Sequence, residues 1–198
     1  IEKLDYLTTL SVGVIYLNPI FSSPSNHRYD TSDYEEIDSL LGDENTFNTL
    51  IKEAHKRNIK IILDGVFNHT GSDSRYFNKK GRFCEVGAYE STKSPYYNWY
   101  NFYEYPEKYE AWWGIDILPR LNHQYQNCLS YFARDIAKMW LERGADGWRL
   151  DVADELSDEF LEDFQKSVKS FKNKAIIGEV WENAVTKVAY GKRREYFQ

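Results

Sequence analysis

Three short apolar runs in this chain each carry an acidic residue near their carboxyl end. Asp64 lies in the run IKIILDGVFN, Asp151 in ADGWRLDV and Glu179 in AIIGEV. Runs of this length, rich in Ile, Val and Leu, are typical of buried strands in a parallel sheet. Because chemistry in parallel sheets and β/α barrels sits at the carboxyl ends of the strands, the three acids are predicted to meet there.

Predicted strands and helices alternate along the chain. The predicted strands are Val12–Asn18, which is expected to be buried, Ile59–Val66, Ala145–Val152 and Ala175–Val180. The predicted helices cover residues 1–10, a segment from a cap at Asn45 or Thr46 to about Asn58, a segment from about Gln126 to a C-cap at Gly144, and a segment after a cap at Ser157. Repeated β/α units predict an α/β fold with a parallel sheet. Four strands form either an open sheet or part of a larger barrel.

Two stretches lack this regularity. Residues 20–39 are polar and aromatic, and they are predicted to form a loop. From His69 to about Asn122 no period persists, and the aromatic bursts YYNWY and AWW stand among Gly, Asn and Ser. Because a structureless loop of this length is uncommon in a compact domain, the second stretch is predicted to be an irregular inserted subdomain that lies over the site.

Composition argues against one class of partner and bears on where the protein is located. The net charge of −6 argues against nucleic acid, whose phosphates require basic patches. Cys84 and Cys128 match no metal-site spacing and no disulfide framework, which favours a reducing compartment. No signal peptide or membrane-spanning segment is recognised. A cytoplasmic location is therefore predicted, and an extracellular one stays open because the chain begins without methionine.

Five segments in order resemble conserved regions of the α-amylase family of glycoside hydrolases. LDGVFNH, GWRLDVADE and GEVW match the family, and SNHRYDTSDY and LPRLN resemble the neopullulanase, cyclomaltodextrinase and maltogenic amylase group. The resemblance covers essentially the whole chain. It implies a partial (β/α)8 TIM barrel, from about strand 2 to strand 5, with an irregular subdomain inserted after the third barrel strand. Residues 1–69 and 123–198 would then be barrel parts, and residues 70–122 would be the insert.

The resemblance implies hydrolysis of α-glucosidic bonds with retention, through a covalent glycosyl-enzyme. Such chemistry needs a nucleophilic carboxylate and a carboxylic acid about 5–5.5 Å apart. Asp151 matches the nucleophile and Glu179 the general acid/base. Arg149 shares a strand face with Asp151 and is predicted to keep it ionised. Val180 and Trp181 are predicted to give Glu179 an apolar setting that raises its pKa.

Further residues match substrate contacts, with an α-glucan or maltooligosaccharide as the implied partner. His69 would hydrogen-bond the sugar at the cleavage point, Tyr29 would stack on it, and Asp64 would orient neighbouring groups. The residues matched to acceptor-side contacts are Asp154, Glu155, Trp181 and Glu182, the last of which replaces an expected histidine. Trp112 and Trp113 either form a sugar platform or pack inside the insert.

No cofactor and no metal site are predicted. Asn68 matches a position that binds calcium in many α-amylases, but the neopullulanase-like group often lacks this ion. Asn122, the nearby candidate, is a poorer calcium ligand than a carboxylate. Any oligomer is expected to form through regions outside this chain.

The resemblance also implies a third carboxylate, an Asp beside a His, late in the barrel. No such pair follows Glu179 in the sequence, so the chain by itself is predicted to be inactive or nearly so. One alternative is a non-catalytic carbohydrate-binding or transporter-accessory protein on the same fold. Another is a metal-dependent hydrolase, although the sequence has only four histidines. Its ligands would be Asp64, His69, Asp151 and Glu179.

Overall fold

The structure is a computed structural model that describes residues 1–181, 183, 184, 188, 189, 192 and 193. Glu182 and part of the predicted barrel segment 123–198 therefore lie outside the described residues. The helices are α1 (Leu4–Thr9), α2 (Glu44–Lys56), α3 (Gln126–Ser130), α4 (Ala137–Glu142) and α5 (Asp158–Lys169). The strands are β1 (Val14–Tyr16), β2 (Phe21–Ser22), β3 (Asp33–Ile37), β4 (Lys60–Gly65), β5 (Phe102–Glu104), β6 (Lys108–Tyr109), β7 (Gly147–Leu150), β8 (Ala175–Gly178), β9 (Val188–Ala189) and β10 (Lys192–Arg193).

The main sheet has the order β1-β4-β7-β8, and all of its pairings are parallel. Each strand lies beside the next main-sheet strand along the chain, whereas a doubly wound sheet reverses its order at a switch point. The sheet is therefore part of a β/α barrel. Its register places Asp64 beside Arg149, and Arg149 beside Ile177. The four predicted strands are confirmed.

The core lies between the convex face of this sheet and the helices. Trp148 on β7 and Trp140 on α4 are fully buried, as are Phe132, Phe160 and Phe164. The indole of Trp140 donates to the carbonyl of Tyr34 at 2.8 Å, and the indole of Trp148 donates to the carbonyl of Ala137 at 3.2 Å. Burial of the rings supplies the stabilisation, and these bonds remove the cost of burying two polar N–H groups.

The concave face of the sheet is more open than predicted. Val14 and Tyr16 on β1 are 53% and 41% exposed, and Ile177 on β8 is 49% exposed. Alternation along a strand directs these side chains to the barrel interior, while Ile15 points to the core. The prediction of a buried strand at Val12–Asn18 is therefore wrong on this face, since the described strands close only part of a barrel.

Most of the predicted helix ends are confirmed. The hydroxyl of Ser157 accepts the backbone N–H of Phe160 at 3.2 Å and caps α5. Gly144 follows α4 with a φ of +104°, where a Cβ would lie 2.7 Å from Ile51. The helix predicted from Gln126 contains an unpredicted π-helical segment, Tyr131–Ile136, between α3 and α4. The cap of α2 is Asp43 and not Asn45 or Thr46, because the carboxylate of Asp43 accepts the Thr46 N–H at 2.7 Å.

The two irregular stretches contain short elements. The predicted loop at residues 20–39 instead holds the antiparallel pair β2 and β3, which brings Phe21 and Tyr34 into the aromatic core. The stretch after His69 contains the hairpin of β5 and β6 and two 3-10 turns. Isolated bridges join His69 to Arg120 and Ala111 to Pro119, so its end returns to the carboxyl edge of the sheet. The boundaries of the insert at residues 70 and 122 stay a prediction.

An ionic cluster closes the opposite, amino-terminal end of the sheet. The carboxylate of Asp146 is buried and contacts His55 Nε2 at 2.6 Å and Lys60 Nζ at 3.2 Å, and it accepts the N–H of Ile61 at 3.0 Å. Burial acts to raise the pKa of Asp146, but these partners outweigh it and hold the pKa below its usual value. Within the described ranges, no helix is long and apolar enough to cross a membrane.

Candidate active site

Arg149 stands at the centre of the candidate site, at the carboxyl edge of the sheet. Its Nη1 donates to Asp64 Oδ1 and to Asp151 Oδ1, both at 2.8 Å. Its Nη2 lies 2.8 Å from Glu179 Oε2. One guanidinium thus joins an acid from each of three consecutive strands of the sheet, β4, β7 and β8. The structure brings together the three acids that the apolar runs single out.

The register of the sheet explains this convergence. Arg149 lies beside Asp64 in the ladder, and Asp151 follows two residues later on the same face. Glu179 directly follows β8, and its backbone N–H donates to the carbonyl of Leu150 at 2.9 Å. Each acid therefore sits at a strand end on the concave side of the sheet.

The chain turns sharply after Asp151. Val152 has a φ of +41° and a ψ of +49°, a left-handed conformation that costs an L-residue about 1–2 kcal/mol and is rare for a β-branched one. Its N–H donates to Glu179 Oε2 at 3.0 Å, and the N–H of Ala153 donates to the Glu179 carbonyl at 2.9 Å. The turn therefore couples the backbone beside Asp151 to Glu179.

The pKa values of Asp151 and Asp64 reflect their burial beside one shared guanidinium. Burial, reinforced by the charge of Asp64, raises the pKa of Asp151 to about 7 even though Arg149 acts to lower it. Burial also raises the pKa of Asp64. Arg149 thus acts on the pKa of Asp151 in the predicted direction, and its role in keeping this carboxyl ionised stays a prediction. Desolvation and the neighbouring acids outweigh a cation that is divided among three partners.

The setting of Glu179 also differs from the expectation. Instead of an apolar environment beside Val180 and Trp181, its carboxylate contacts the Arg149 guanidinium and accepts the N–H of Val152. The Trp181 side chain is 62% exposed and packs at the surface. The prediction of an apolar pocket is wrong because the guanidinium reaches across from β7 to β8.

Asp64 is the anchor of a tyrosine pair. The hydroxyls of Tyr16 and Tyr29 both donate to Asp64 Oδ2, the second at 3.1 Å. Burial raises the pKa of both phenols, so they remain neutral donors. Sequence reasoning missed Tyr16. The register between β1 and β4 places Tyr16 beside Ile62, and therefore on the strand face that carries Asp64.

His69 is buried at the base of the insert. Its Nε2 donates to the carbonyl of Tyr29 at 3.2 Å, and its Nδ1 lies 3.3 Å from the amide nitrogen of Asn68. Burial lowers the pKa of His69 to about 4, so the ring is neutral. Its face stacks on Trp112 with the ring centroids 5.4 Å apart. A sugar contact by His69 Nε2 would therefore replace its bond to Tyr29.

The residues matched to acceptor-side contacts lie on the loops that follow β7 and β8. Asp154 and Glu155 belong to the 3-10 turn Ala153–Glu155, and Trp181 follows Glu179 by two residues. Glu155 Oε1 accepts the indole N–H of Trp113 at 3.0 Å. The loop after β7 and the insert therefore meet beside the site.

The two asparagines considered for calcium are engaged elsewhere. The amide of Asn68 faces the ring of His69, and the amide nitrogen of Asn122 donates to the carbonyl of Asn98 at 3.1 Å. Arg120, two residues before Asn122, contacts Glu110 at 2.9 Å and the carbonyl of Glu155 at 3.1 Å. In the part of the chain that the structure describes, no three His, Cys, Asp or Glu side chains are grouped as metal ligands.

Comparison with known proteins identifies the family. Residues 1–196 match the model of the α-amylase catalytic domain. The chain is 45% identical to an amylopullulanase of Thermoanaerobacter thermohydrosulfuricus over 92% of its own length and 14% of that protein. It is 41% identical to neopullulanase 2 of Thermoactinomyces vulgaris, over 93% of the chain and 32% of that protein. A debranching enzyme from Nostoc punctiforme superposes with a TM-score of 0.83 at 38% identity, over 91% of the chain and 38% of that structure. The chain spans less than a third of either relative compared by sequence, and it belongs to the α-amylase family as part of its TIM-barrel catalytic domain.

Proposed function

We propose that the protein to which this chain belongs hydrolyses α-glucosidic bonds by a retaining double displacement. The observation that carries the proposal is that Asp151 and Glu179 bind the two terminal nitrogens of one guanidinium, that of Arg149. Two carboxylates can then lie no farther apart than one guanidinium and its hydrogen bonds allow. A retaining mechanism requires such closeness, about 5–5.5 Å, because no water stands between the nucleophile and the sugar.

In the first step, Glu179 in its protonated form gives its proton to the glycosidic oxygen. The bond from the anomeric carbon to that oxygen breaks while the Asp151 carboxylate forms a covalent bond to the same carbon. In the second step, Glu179 takes a proton from water, the resulting hydroxide attacks the anomeric carbon, and Asp151 leaves as a carboxylate. The sugar is released with its original anomeric configuration.

Both carboxyl groups of this mechanism contact the guanidinium of Arg149. The mechanism needs one ionised and one protonated carboxyl in the resting enzyme. Asp151 and Glu179 share this cation with Asp64, and burial together with repulsion by Asp64 raises the pKa of Asp151. We propose that Arg149 directs the ionised form to Asp151 when a sugar approaches Glu179.

The proposed substrates are maltooligosaccharides and the related glucans starch, pullulan and cyclodextrins. The names amylopullulanase, neopullulanase and debranching enzyme, carried by proteins similar to this chain, support this class. Tyr29 and His69 would contact the sugar on the donor side of the cleaved bond. Asp154, Glu155 and Trp181 would contact the acceptor side. A cytoplasmic location remains part of the proposal.

We propose that the site functions without calcium at Asn68. The ion takes six to eight oxygen ligands, usually including carboxylates, and the guanidinium of Arg120 lies between the insert and the loop after β7. A positive group at this junction opposes a second cation. Addition of a chelator is expected to leave both the melting temperature and the activity of the protein unchanged.

The 198-residue chain by itself is proposed to be inactive or nearly so, because it lacks the Asp beside a His that the family resemblance implies. Hydrolysis of maltohexaose by this chain at a rate similar to that of the full protein would contradict the proposal.

A fluorinated glucosyl fluoride tests the mechanism, because the fluorine slows the second step and lets the covalent intermediate accumulate. The full protein encoded by the reading frame of this chain is treated with the reagent, digested and analysed by mass spectrometry. We expect the label on the peptide that contains Asp151 and no label in Asp151→Asn. A label on another residue, or a product of inverted configuration by NMR, would refute the proposal.

A further inference from the structure

The backbone of Tyr29 is held on both sides by histidines. Its N–H donates to Nδ1 of His27 at 3.1 Å, and its carbonyl accepts a hydrogen bond from Nε2 of His69 at 3.2 Å. Its hydroxyl donates to Asp64 Oδ2 at 3.1 Å. These three hydrogen bonds fix both the peptide groups and the ring of a residue that is proposed to contact the sugar.

The two histidines act on Tyr29 in opposite ways. His69 is buried and donates from Nε2, whereas the side chain of His27 is 53% exposed and accepts at Nδ1. Because a backbone N–H can only donate, Nδ1 of His27 carries no proton, and the proton of the neutral ring is on Nε2. His27 therefore acts as the side chain of Asn or Asp does in an Asx turn, where it accepts the N–H two residues later.

The loop between β2 and β3 is arranged to present Nδ1 of His27. The buried carboxylate of Asp30 accepts the hydroxyls of Ser23, at 2.7 Å, and of Ser25. Ser25 Oγ in turn accepts the N–H of Arg28 at 3.1 Å and lies 3.2 Å from His27 Nδ1. Arg28 has a φ of +63°, in the left-handed region that residues other than glycine rarely adopt. The loop therefore retains a strained residue directly beside the bond from His27 to Tyr29.

We propose that His27 is a positioning residue that keeps Tyr29 in place when a sugar takes the hydrogen bond of His69. This inference rests on the proposed function, in which Tyr29 and His69 both contact the sugar. A sugar oxygen that accepts from Nε2 of His69 releases the carbonyl of Tyr29, because a single N–H binds one acceptor at full strength. The bond from the Tyr29 N–H to His27 is unaffected by this exchange, so the ring stays aligned with Asp64.

Packing alone does not account for His27. More than half of its side chain is exposed, and its ring centroid lies 6.1 Å from that of Tyr29, so the contact of the two rings buries little apolar surface. The ring is fixed instead by the polar contacts of Nδ1 with Tyr29 and Ser25. The property expected to matter at this position is therefore a hydrogen-bond acceptor, and an aromatic ring is not required.

Amide hydrogen exchange tests this hydrogen bond without any substrate. The full protein is labelled with 15N-tyrosine, and the Tyr29 amide signal is identified by its loss in Tyr29→Phe. We expect this amide to exchange about fivefold faster in His27→Ala, the effect of one hydrogen bond. In His27→Asn it should exchange as in the wild type, because Oδ1 replaces Nδ1 as the acceptor. The other tyrosine amides report whether each variant is folded. Equal rates in the wild type and in a folded His27→Ala would overturn the proposal.

Kinetics on the full protein test the role of His27 in holding the substrate. We expect His27→Ala to lower kcat/KM for maltohexaose about fivefold, mostly through a higher KM, and His27→Asn to restore it. Asn26→Ala, at the exposed neighbouring residue, is the matched control and should change neither parameter. In the Tyr29→Ala background, which lacks the ring to be positioned, His27→Ala should have no further effect.

Two outcomes separate this proposal from its rivals. The same loss from His27→Ala in the wild type and in Tyr29→Ala would show that His27 contacts the sugar itself, and it would overturn the positioning role. If the wild type does not cleave maltohexaose, the proposed function fails, whereas the exchange rates still decide whether His27 holds Tyr29.

Discussion

Replacement of Asp64 by Asn tests how the shared guanidinium sets the protonation of Asp151. The change removes a negative charge and leaves a side chain of similar size. Asp64 raises the pKa of Asp151 by repulsion and also withdraws part of Arg149 from it. Both effects end in the variant, so the pKa of Asp151 should fall.

The expected magnitude follows from the geometry. Oxygens of Asp64 and Asp151 both lie 2.8 Å from Arg149 Nη1, so they are no more than about twice that distance apart. Two unit charges about 5 Å apart at an effective dielectric constant near 20 repel by about 3 kcal/mol. This corresponds to about two pKa units if Asp64 is fully ionised. Since burial raises the pKa of Asp64 as well, a decrease of about one to two units is expected.

The assay is the pH dependence of kcat/KM for the full protein, whose acid limb reports the ionisation of the free enzyme's nucleophile. The kcat/KM of the wild type should fall below a pH of about 7, because Asp151 becomes protonated there. The kcat/KM of Asp64→Asn should begin to fall only at a lower pH. Asp146→Asn, a buried acid at the opposite end of the sheet, is the control and should leave the limb in place. An acid limb that stays fixed or moves to higher pH in Asp64→Asn would refute the reasoning.

Two further predictions concern stability, measured by urea denaturation. Asp146→Asn should destabilise the protein by about 2 kcal/mol at pH 7, because it removes the charged hydrogen bonds of a buried carboxylate to His55 and Lys60 and weakens the bond from the Ile61 N–H. Since the folded-state pKa of Asp146 lies below its unfolded value, this loss should shrink as the pH falls through that pKa, and an equal loss at all pH values would contradict it. Gly147→Ala should destabilise the protein by about 2 kcal/mol or more, because the added Cβ would lie 2.3 Å from the carbonyl oxygen of Ala175 and force β7 and β8 apart. A decrease in the free energy of unfolding of less than about 0.5 kcal/mol would contradict this prediction, because the two strands would then accommodate the added Cβ.

The sequence predicts the strand positions and the meeting of the three acids well, because both depend on local rules. An apolar run sets a strand, and the alternation of side chains then fixes that Arg149 and Asp151 share a face. The residue that caps the amino-terminal end of α2 is harder to predict. Asp43, Asn45 and Thr46 are all competent caps, and only the path of the preceding turn selects Asp43.

The features that the sequence does not predict depend on contacts between distant segments. The polar setting of Glu179 depends on how far the Arg149 side chain reaches across the sheet. The partnership of Tyr16 with Asp64 depends on the register between β1 and β4. The exposure of Tyr16 depends on what faces the concave side, which no pattern within β1 encodes.

The left-handed backbone at Val152 has a consequence for attempts to engineer this protein. Glycine or asparagine would relax that turn, so a screen for thermostability would tend to select a replacement there. The same replacement would loosen the N–H that Glu179 holds and the carboxylate one residue earlier. A library that is ranked by melting temperature alone would therefore enrich a replacement that lets the Asp151 carboxylate move out of position. Val152 should be kept unchanged in such a library.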